Sequence, residues 1–451
     1  MLVARGAREQ SRARERISSV NDSLGIYISI PFCKAKCTYC NFASGVFSAE
    51  RMESYVQRLC AEIASAQTRA SAFTGILPQR VDSIYFGGGT PSLLSADQTQ
   101  RIFNSLRNQF EVVRDAEITI ECAPGQLGDS TLDELLRQGM NRVSFGVQSF
   151  IDAEARATGR LHTREICLAE IVRLRAAGVE NLNVDLIAGL PHQTAASWRE
   201  SVEVALASEV PHLSLYMLEI DEDSRLGREL LADGSRYSAA TVSSEDETAE
   251  RYALACQWLH AAGIEQYEIS NFARVDRESR HNLKYWQREP YLGFGLDAHS
   301  MLRGAVQSAQ GAAHGHKAAE CNAVRWANPD DLETYLAEPV QPNASPLIVL
   351  PGSSSLRSAP DVDPQVERIS QQQAFEESIF LGLRLNRGID LRRLQAEFGE
   401  ALLLPTLAAL PEIEEAGLLL RAGDLLRLTV RGRMASNEVF SRLLLKTSAD
   451  G

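Results

Sequence analysis

The chain has 451 residues, 44% hydrophobic and 23% charged, the composition of a globular protein long enough for two or three domains. A net charge of −13 argues against general binding to nucleic acid, and no apolar run reaches the length that spans a bilayer, so direct membrane insertion is not expected. The first twenty residues carry five arginines and no apolar centre, which argues against a secretory signal and predicts a disordered tail over 1–22.

Six short β-rich runs then alternate with amphipathic stretches: GIYISI (25–30), VDSIYF (81–86), EITIE (117–121), NRVSFG (141–146), NLNVDLI (181–187) and HLSLYML (212–218). After the first run comes ERMESYVQRLCAEIASAQ. After the second, SADQTQRIFNSLRNQF predicts a helix with Ser95 as N-cap and Ile102, Phe103 and Leu106 on one face. This α/β alternation predicts a parallel sheet with right-handed crossovers. Six units fall short of an eight-stranded barrel and fit either a partial (β/α)6 barrel or an open doubly wound sheet.

The α/β pattern continues through SSEDETAERYALACQWLHAAG into EQYEISNFA, giving an α/β region over 23–300. Residues 303–325 are rich in Ala and Gly without clear periodicity. Residues 339–366 hold Pro, Ser and Gly clusters, so 301–368 reads as insertion and linker. From 369 to 451, helical patterns followed by a hairpin-like strand pair predict a small C-terminal helical domain of winged-helix type. It has no basic stripe beyond Arg421, Arg427, Arg431 and Arg433, and a partner-docking lid fits it better than a nucleic-acid binder.

Every run delivers a distinctive element at its carboxyl end, where loops of a parallel barrel converge on one opening. The first leads into FCKAKCTYCNF, with Cys33, Cys37 and Cys40 spaced C-x3-C-x2-C and Phe42 where a fourth thiol would follow. Thiolates so spaced bind zinc or an iron–sulfur cluster. Structural zinc closes its shell with four protein ligands, whereas three thiolates suit a cubane cluster with one iron left open. The other five cysteines are scattered singly, which suits a reducing, cytoplasmic setting. GGGTP at 87–91 is either a tight turn or a loop whose N–H groups receive a carboxylate. Glu121 and Asp185 are either capping carboxylates or partners for sugar hydroxyls and an amine. Arg160 is either a surface ion pair or a bidentate clamp on a carboxylate.

Together, YISIPFCKAKCTYCNF, YFGGGTPSLL, ECAPGQL, RVSFGVQSF, GRLHT, NVDLIAGLP and YEISNFAR…HNLKYWQ…YLGFG resemble the HemN/HemW group of the radical S-adenosylmethionine family, and LTVRGRMASNEVFSRLL extends the likeness into the C-terminal region. The resemblance implies a partial (β/α)6 radical-SAM barrel. It also implies a [4Fe–4S] cluster on Cys33, Cys37 and Cys40, with S-adenosylmethionine on the open iron and cleaved there to a 5′-deoxyadenosyl radical. By position, Tyr27 lies near the methionine end of that cofactor, Gly88, Gly89 and Thr90 contact it, and Glu121, Gln148, Arg160 and Asp185 complete its pocket, with Tyr39 and Glu219 as lining positions.

Within the group, oxygen-independent coproporphyrinogen III dehydrogenases carry a fourth cysteine where this chain has Phe42, so the resemblance speaks against that activity here and leaves it as an alternative. The resemblance is to the haem chaperones of the group and implies a protein that binds haem and delivers it to a haem-accepting respiratory protein. A HemN-like methyltransferase is a further alternative. A flavodoxin or ferredoxin would serve as electron donor wherever the cofactor is cleaved. HNLKYW resembles a segment associated with haem binding. His281 is either an axial ligand flanked by Tyr285 and Trp286 or a loop histidine packed beside a strand. Asp297 stands where the group more often has a small residue. His314 and His316, in the 303–325 segment, are either a second ligand pair or part of an unstructured loop.

Overall fold

A computed structural model describes residues 23–305, 321–337 and 366–443. Its centre is six parallel strands: β1 (Leu24–Ile30), β2 (Arg80–Gly88), β3 (Glu111–Cys122), β4 (Arg142–Gln148), β5 (Asn181–Ala188) and β6 (His212–Met217). They pair in sequential order, each to the next. A doubly wound sheet reverses its strand order at a switch point. Sequential order without reversal decides for the partial (β/α)6 barrel. The crossovers carry helices α1 (Ala49–Ala64), α2 (Ala96–Gln109), α3 (Asp129–Arg137), α4 (Arg164–Ala176) and α5 (Ala195–Ala207). Ser95 caps α2 as expected, in a reciprocal box with Gln98, and Ile102, Phe103 and Leu106 are buried beneath it.

The strands alternate along most of their length. Outward positions are apolar and fully buried under the helices, among them Ile26, Ile28, Ile84, Phe86, Ile120, Phe145, Val184 and Leu215. Each such side chain contributes about 1.5–3 kcal/mol when buried. The opposite positions are polar or small: Ser83 and Tyr85, Glu117 and Glu121, Arg142 and Ser144, Asn183 and Asp185, His212 and Ser214. The barrel is therefore held together from outside, and its interior is left for chemistry.

The barrel does not close on itself. Beyond β6 the sheet continues antiparallel, with β8 (Asn271–Ala273) against β6 and β7 (Glu265–Gln266) against β8. On the other flank, β9 (Tyr291–Phe294) joins β1 in parallel, followed by antiparallel β10 (His299–Gly304), β11 (Cys321–Ala327) and β12 (Glu367–Ser370). Residues 321–327 and 367–370 thus belong to the sheet although no periodicity or turn signal marked them. Only Ala323, Val324 and Trp326 of β11 are buried, too short an alternation to stand out from its Ala-rich surroundings. His314 and His316 lie outside the described residues. Asp297, in the turn from β9 to β10, has φ +56°, a left-handed conformation that a glycine adopts freely and aspartate tolerates.

Two inserted features position the site. Helix α6 (Glu245–Ala261) covers the outside of β6, and helix α7 (Arg280–Trp286) lies against inward residues of the barrel. Gly25 and Ser83 approach His281, and the Glu117 carboxylate accepts from the backbone N–H groups of Arg280 and His281, both at 3.1 Å. The C-terminal region has its own core, built on helix α8 (Gln371–Arg384), further helices and a three-stranded sheet of winged-helix pattern. It rests on α7: Arg384 lies over the Trp286 ring, and Glu377 bridges Arg288 and Arg325 at 2.8 Å each.

Glu62 of α1 is fully buried and joins distant segments. It receives Arg69 at 2.5 Å, Asn328 and Tyr335 at 2.7 Å, and the Gly295 N–H at 3.0 Å. Glu62→Leu should destabilise the protein by about 3–5 kcal/mol in urea unfolding, because it leaves a nearly buried guanidinium without its counterion. A loss below about 1 kcal/mol would show that this hub carries no net stability.

Candidate functional site

The cysteine loop leaves β1 under tight restraint. Phe32 is buried edge-on against Tyr55 and Phe47, with centroids 5.1 and 6.0 Å away. The Cys33 N–H donates to Gly45 O at 2.8 Å and the Gly45 N–H to Pro31 O at 2.9 Å, which closes the loop at its base. Thr38 is buried, and its N–H donates to Thr158 O at 3.1 Å, tying the loop to the end of β4's connection. Cys33, Cys37 and Cys40 are half-buried free thiols on this one loop. Burial raises the Cys33 thiol, against hydrogen bonds from Thr90 and Ser44 that favour its anion. Among the described residues, no group of three or more Cys, His, Asp or Glu side chains converges closely enough to hold a metal ion. Phe42 is 61% exposed, facing away from the loop's packed base.

The glycine run after β2 lies directly against this loop. A Cβ on Gly89 would stand 2.7 Å from Phe32 O and 2.9 Å from Ile30 O, so no larger residue fits there without moving the cysteine loop. Gly88 has φ +101°, a left-handed backbone that glycine alone adopts freely. Thr90 is buried, its hydroxyl 3.8 Å from Cys33 Sγ.

The polar residues expected at the strand ends converge. Glu121 accepts from the Tyr85 phenol at 2.9 Å, and burial, with the Asp185 charge second, pushes its carboxyl up to about 7. Asp185 is raised by burial against hydrogen bonds from its neighbours, with Asn183 Nδ2 at 2.7 Å and Ser144 Oγ at 3.3 Å. Burial works against the Arg160 guanidinium, but Tyr39, Cys37, Asp185 and Cys33 surround it and hold it firmly charged. Tyr39, half-buried, is raised by burial while Arg160 opposes the shift. Gly146 makes room for this cation: a Cβ there would lie 2.6 Å from Arg160 Nη2.

Arg160 Nε and Gln148 Oε1 are buried without a hydrogen-bond partner among the described residues, and Gln148 is held at φ +69°. Buried polar atoms of this kind are nearly always satisfied, so both are open to a ligand. Tyr27 stacks on Tyr85 with centroids 6.1 Å apart.

Two predicted residues stand apart from this group. Glu219 is exposed two residues beyond β6 and makes no hydrogen bond to the pocket, because the chain turns outward there. His281 is 1% exposed and lies behind Tyr85. Its Nδ1 meets Ser83 Oγ at 3.1 Å and its Nε2 meets Tyr285 Oη at 2.9 Å. Both ring nitrogens are thus engaged within the protein, as in the packed-histidine reading, and the ring turns neither to solvent. Burial, then Lys284, lowers it to about 3, so it is neutral.

Residues that motif reading passed over line the interior between these groups. Tyr85, Ser144, Asn183, His212, Ser214 and Tyr216 surround a cavity of about 40 Å3 reaching Glu121 and Asp185. The signal was present as polar residues at every second strand position. A wider cleft of about 330 Å3 opens at the opposite end of the strands, beside Asn141 and Asn181.

The folded state keeps a proton on Glu121 between its ordinary value of 4.5 and about 7, an interval in which the unfolded chain releases it. Stability should therefore fall as pH rises through that interval, by a component that Glu121→Gln removes. Urea unfolding of both proteins at about pH 5 and about pH 7.5 checks this, and equal pH dependences would contradict the raised carboxyl.

Residues 27–205 match the radical SAM superfamily, and residues 369–435 match the HemN C-terminal domain. The chain is 30% identical over 421 residues to the heme chaperone HemW of Bacillus subtilis, covering 93% of this chain and 98% of that protein. It is 29% identical to the heme chaperone HemW of Lactococcus lactis, again over 93% of this chain and 97% of that one. Among solved structures, coproporphyrinogen III oxidase (HemN) from Escherichia coli, a radical SAM enzyme, superposes with a TM-score of 0.71 at 22% identity. That match covers 94% of this chain and 90% of that one, a likeness of fold.

Proposed function

Because the chain belongs to the HemW family of radical S-adenosylmethionine proteins, we propose that it binds haem and hands it to a haem-accepting respiratory protein. The family implies a [4Fe–4S] cluster and S-adenosylmethionine. The described residues offer donors to both, although the three thiols are not drawn together around a single metal position: three thiols on one pinned loop, an adjacent glycine cradle, and unpaired buried atoms on Arg160 and Gln148. In this reading Cys33, Cys37 and Cys40 hold the cluster, whose chemistry, when bound, is one-electron reduction of the sulfonium.

Gly88, Gly89 and Thr90 cradle the methionine end of S-adenosylmethionine, near Tyr27. Arg160 offers its guanidinium to the cofactor carboxylate and counters the charge of the thiolates. Glu121 and Asp185 accept from amine or hydroxyl groups, and Gln148 supplies the free carbonyl. Tyr39 walls the loop side. Glu219 has no part in the pocket of this conformation.

The observation that carries the chaperone reading is the end-to-end relation to HemW proteins together with Phe42, exposed where a porphyrinogen-oxidising relative has a fourth thiol. His281 supports it chemically. Iron takes a neutral imidazole, and burial keeps this one neutral. Ligation through Nε2 requires the bond to Tyr285 to open.

Titration of anaerobically reconstituted protein with haem should give saturable, stoichiometric binding, weakened at least tenfold in His281→Ala and tightened in Tyr285→Phe, which frees Nε2. Absence of saturable binding, or binding indifferent to both substitutions, overturns the assignment. So does decarboxylated porphyrinogen formed by reduced protein with S-adenosylmethionine. Cys37→Ser should abolish the iron–sulfur absorption of the reconstituted protein. A colourless wild type binding one zinc instead would overturn the cluster.

A further inference from the structure

Tyr85 occupies a place that no motif assigned to it. On one side its phenol donates to Glu121 in the proposed cofactor pocket, at 2.9 Å. On the other its ring lies flat against His281, centroids 5.3 Å apart and planes inclined by 27°. Two residues earlier on the same inward face, Ser83 holds His281 Nδ1. Strand β2 therefore grips the imidazole from two successive inward positions, and of these Tyr85 alone also touches the carboxylate.

We propose that Tyr85 couples the two sites, so that S-adenosylmethionine binding at Glu121 favours haem binding at His281. This rests on the haem-binding reading above. The phenol depends on Glu121 for its hydrogen bond, since the ring is otherwise enclosed by aromatic faces: Tyr27 at 6.1 Å on one side and His281 on the other. An amine or hydroxyl donor that takes the carboxylate competes with the phenol for it. A phenol released from Glu121 lets its ring shift, and the stacked imidazole gains the freedom it needs to leave Tyr285 and meet iron. Without that release, Ser83, Tyr85 and Tyr285 hold His281 on three sides. Tyr85 acts here as a positioning residue, since it touches the imidazole and not the iron.

The coupling is a ratio of affinities, and thermodynamic linkage makes it reciprocal. Haem dissociation constants are measured by absorption on cluster-loaded protein, anaerobically, with and without saturating S-adenosylmethionine. The wild type should bind haem at least about fivefold more tightly with the cofactor present. Its affinity for S-adenosylmethionine should rise by the same factor with haem. Tyr85→Phe keeps the stacked ring, loses the bond to Glu121, and should bring the ratio within twofold of one with cluster absorption unchanged. Ser83→Ala removes the other grip on His281 without touching Glu121 and should keep the wild-type ratio.

A wild-type ratio near one, a ratio that persists in Tyr85→Phe, or one lost equally in Ser83→Ala overturns the coupling. In each of those cases haem binding itself stands. A wild type that binds no haem overturns the reading on which the coupling rests.

Discussion

The two-residue period of a β-strand is the constraint from which the rest of this molecule follows. Along most of the six successive strands outward residues are apolar and inward ones polar or small, so burial against the helices holds the barrel together while its interior stays polar. In most parallel barrels the interior is itself a packed core. Here the core lies mainly outside the strands, and the lumen holds three carboxylates, two arginines, a histidine and several amides and hydroxyls. Such a lumen can exist only because the sheet is flanked by helices and extended at both edges rather than closed around apolar filling.

That arrangement also explains why so many interior groups titrate far from their ordinary values. Glu121 and Asp185 are both buried near one another and both raised. Arg160 is buried among groups of the opposite sign and stays charged. The two carboxylates and the guanidinium restrain one another, and the thiols of the neighbouring loop feel the same cation. The loop is in turn pinned by Phe32 in the outer core and by the clearance that Gly89 leaves for its backbone. Charge in the lumen and packing outside it meet at this loop.

Much of this was legible along the chain. All six strands, the Ser95 cap, the helical C-terminal region, and the cysteine loop with its glycine partner follow from local patterns: alternation, capping chemistry and spacing. The strand-end positions of Glu121, Gln148 and Asp185 followed from the rule that parallel strands present their carboxyl ends together, whereas Arg160 joined them only through the family resemblance. Strand β11 escaped notice because its alternation is short and its background rich in alanine. Glu219 stands apart from these residues because strand β6 ends at Met217 and the chain is exposed beyond it.

The sequence by itself determined the period-2 strands, the thiol loop and the residue types in the lumen, because each is written in neighbours a few positions apart. Only the tertiary structure decided that the strands keep their order without a switch point, that Glu62 joins α1 to residues 295, 328 and 335, and that His281 is enclosed. The physical reason is separation along the chain. Ser83 and His281 are 198 residues apart, and Tyr335 lies 273 from Glu62. Hydrogen bonds between such residues carry no local signature. They form only once the sheet has brought β2 and α7 together, and the burial that neutralises the imidazole is a property of that meeting.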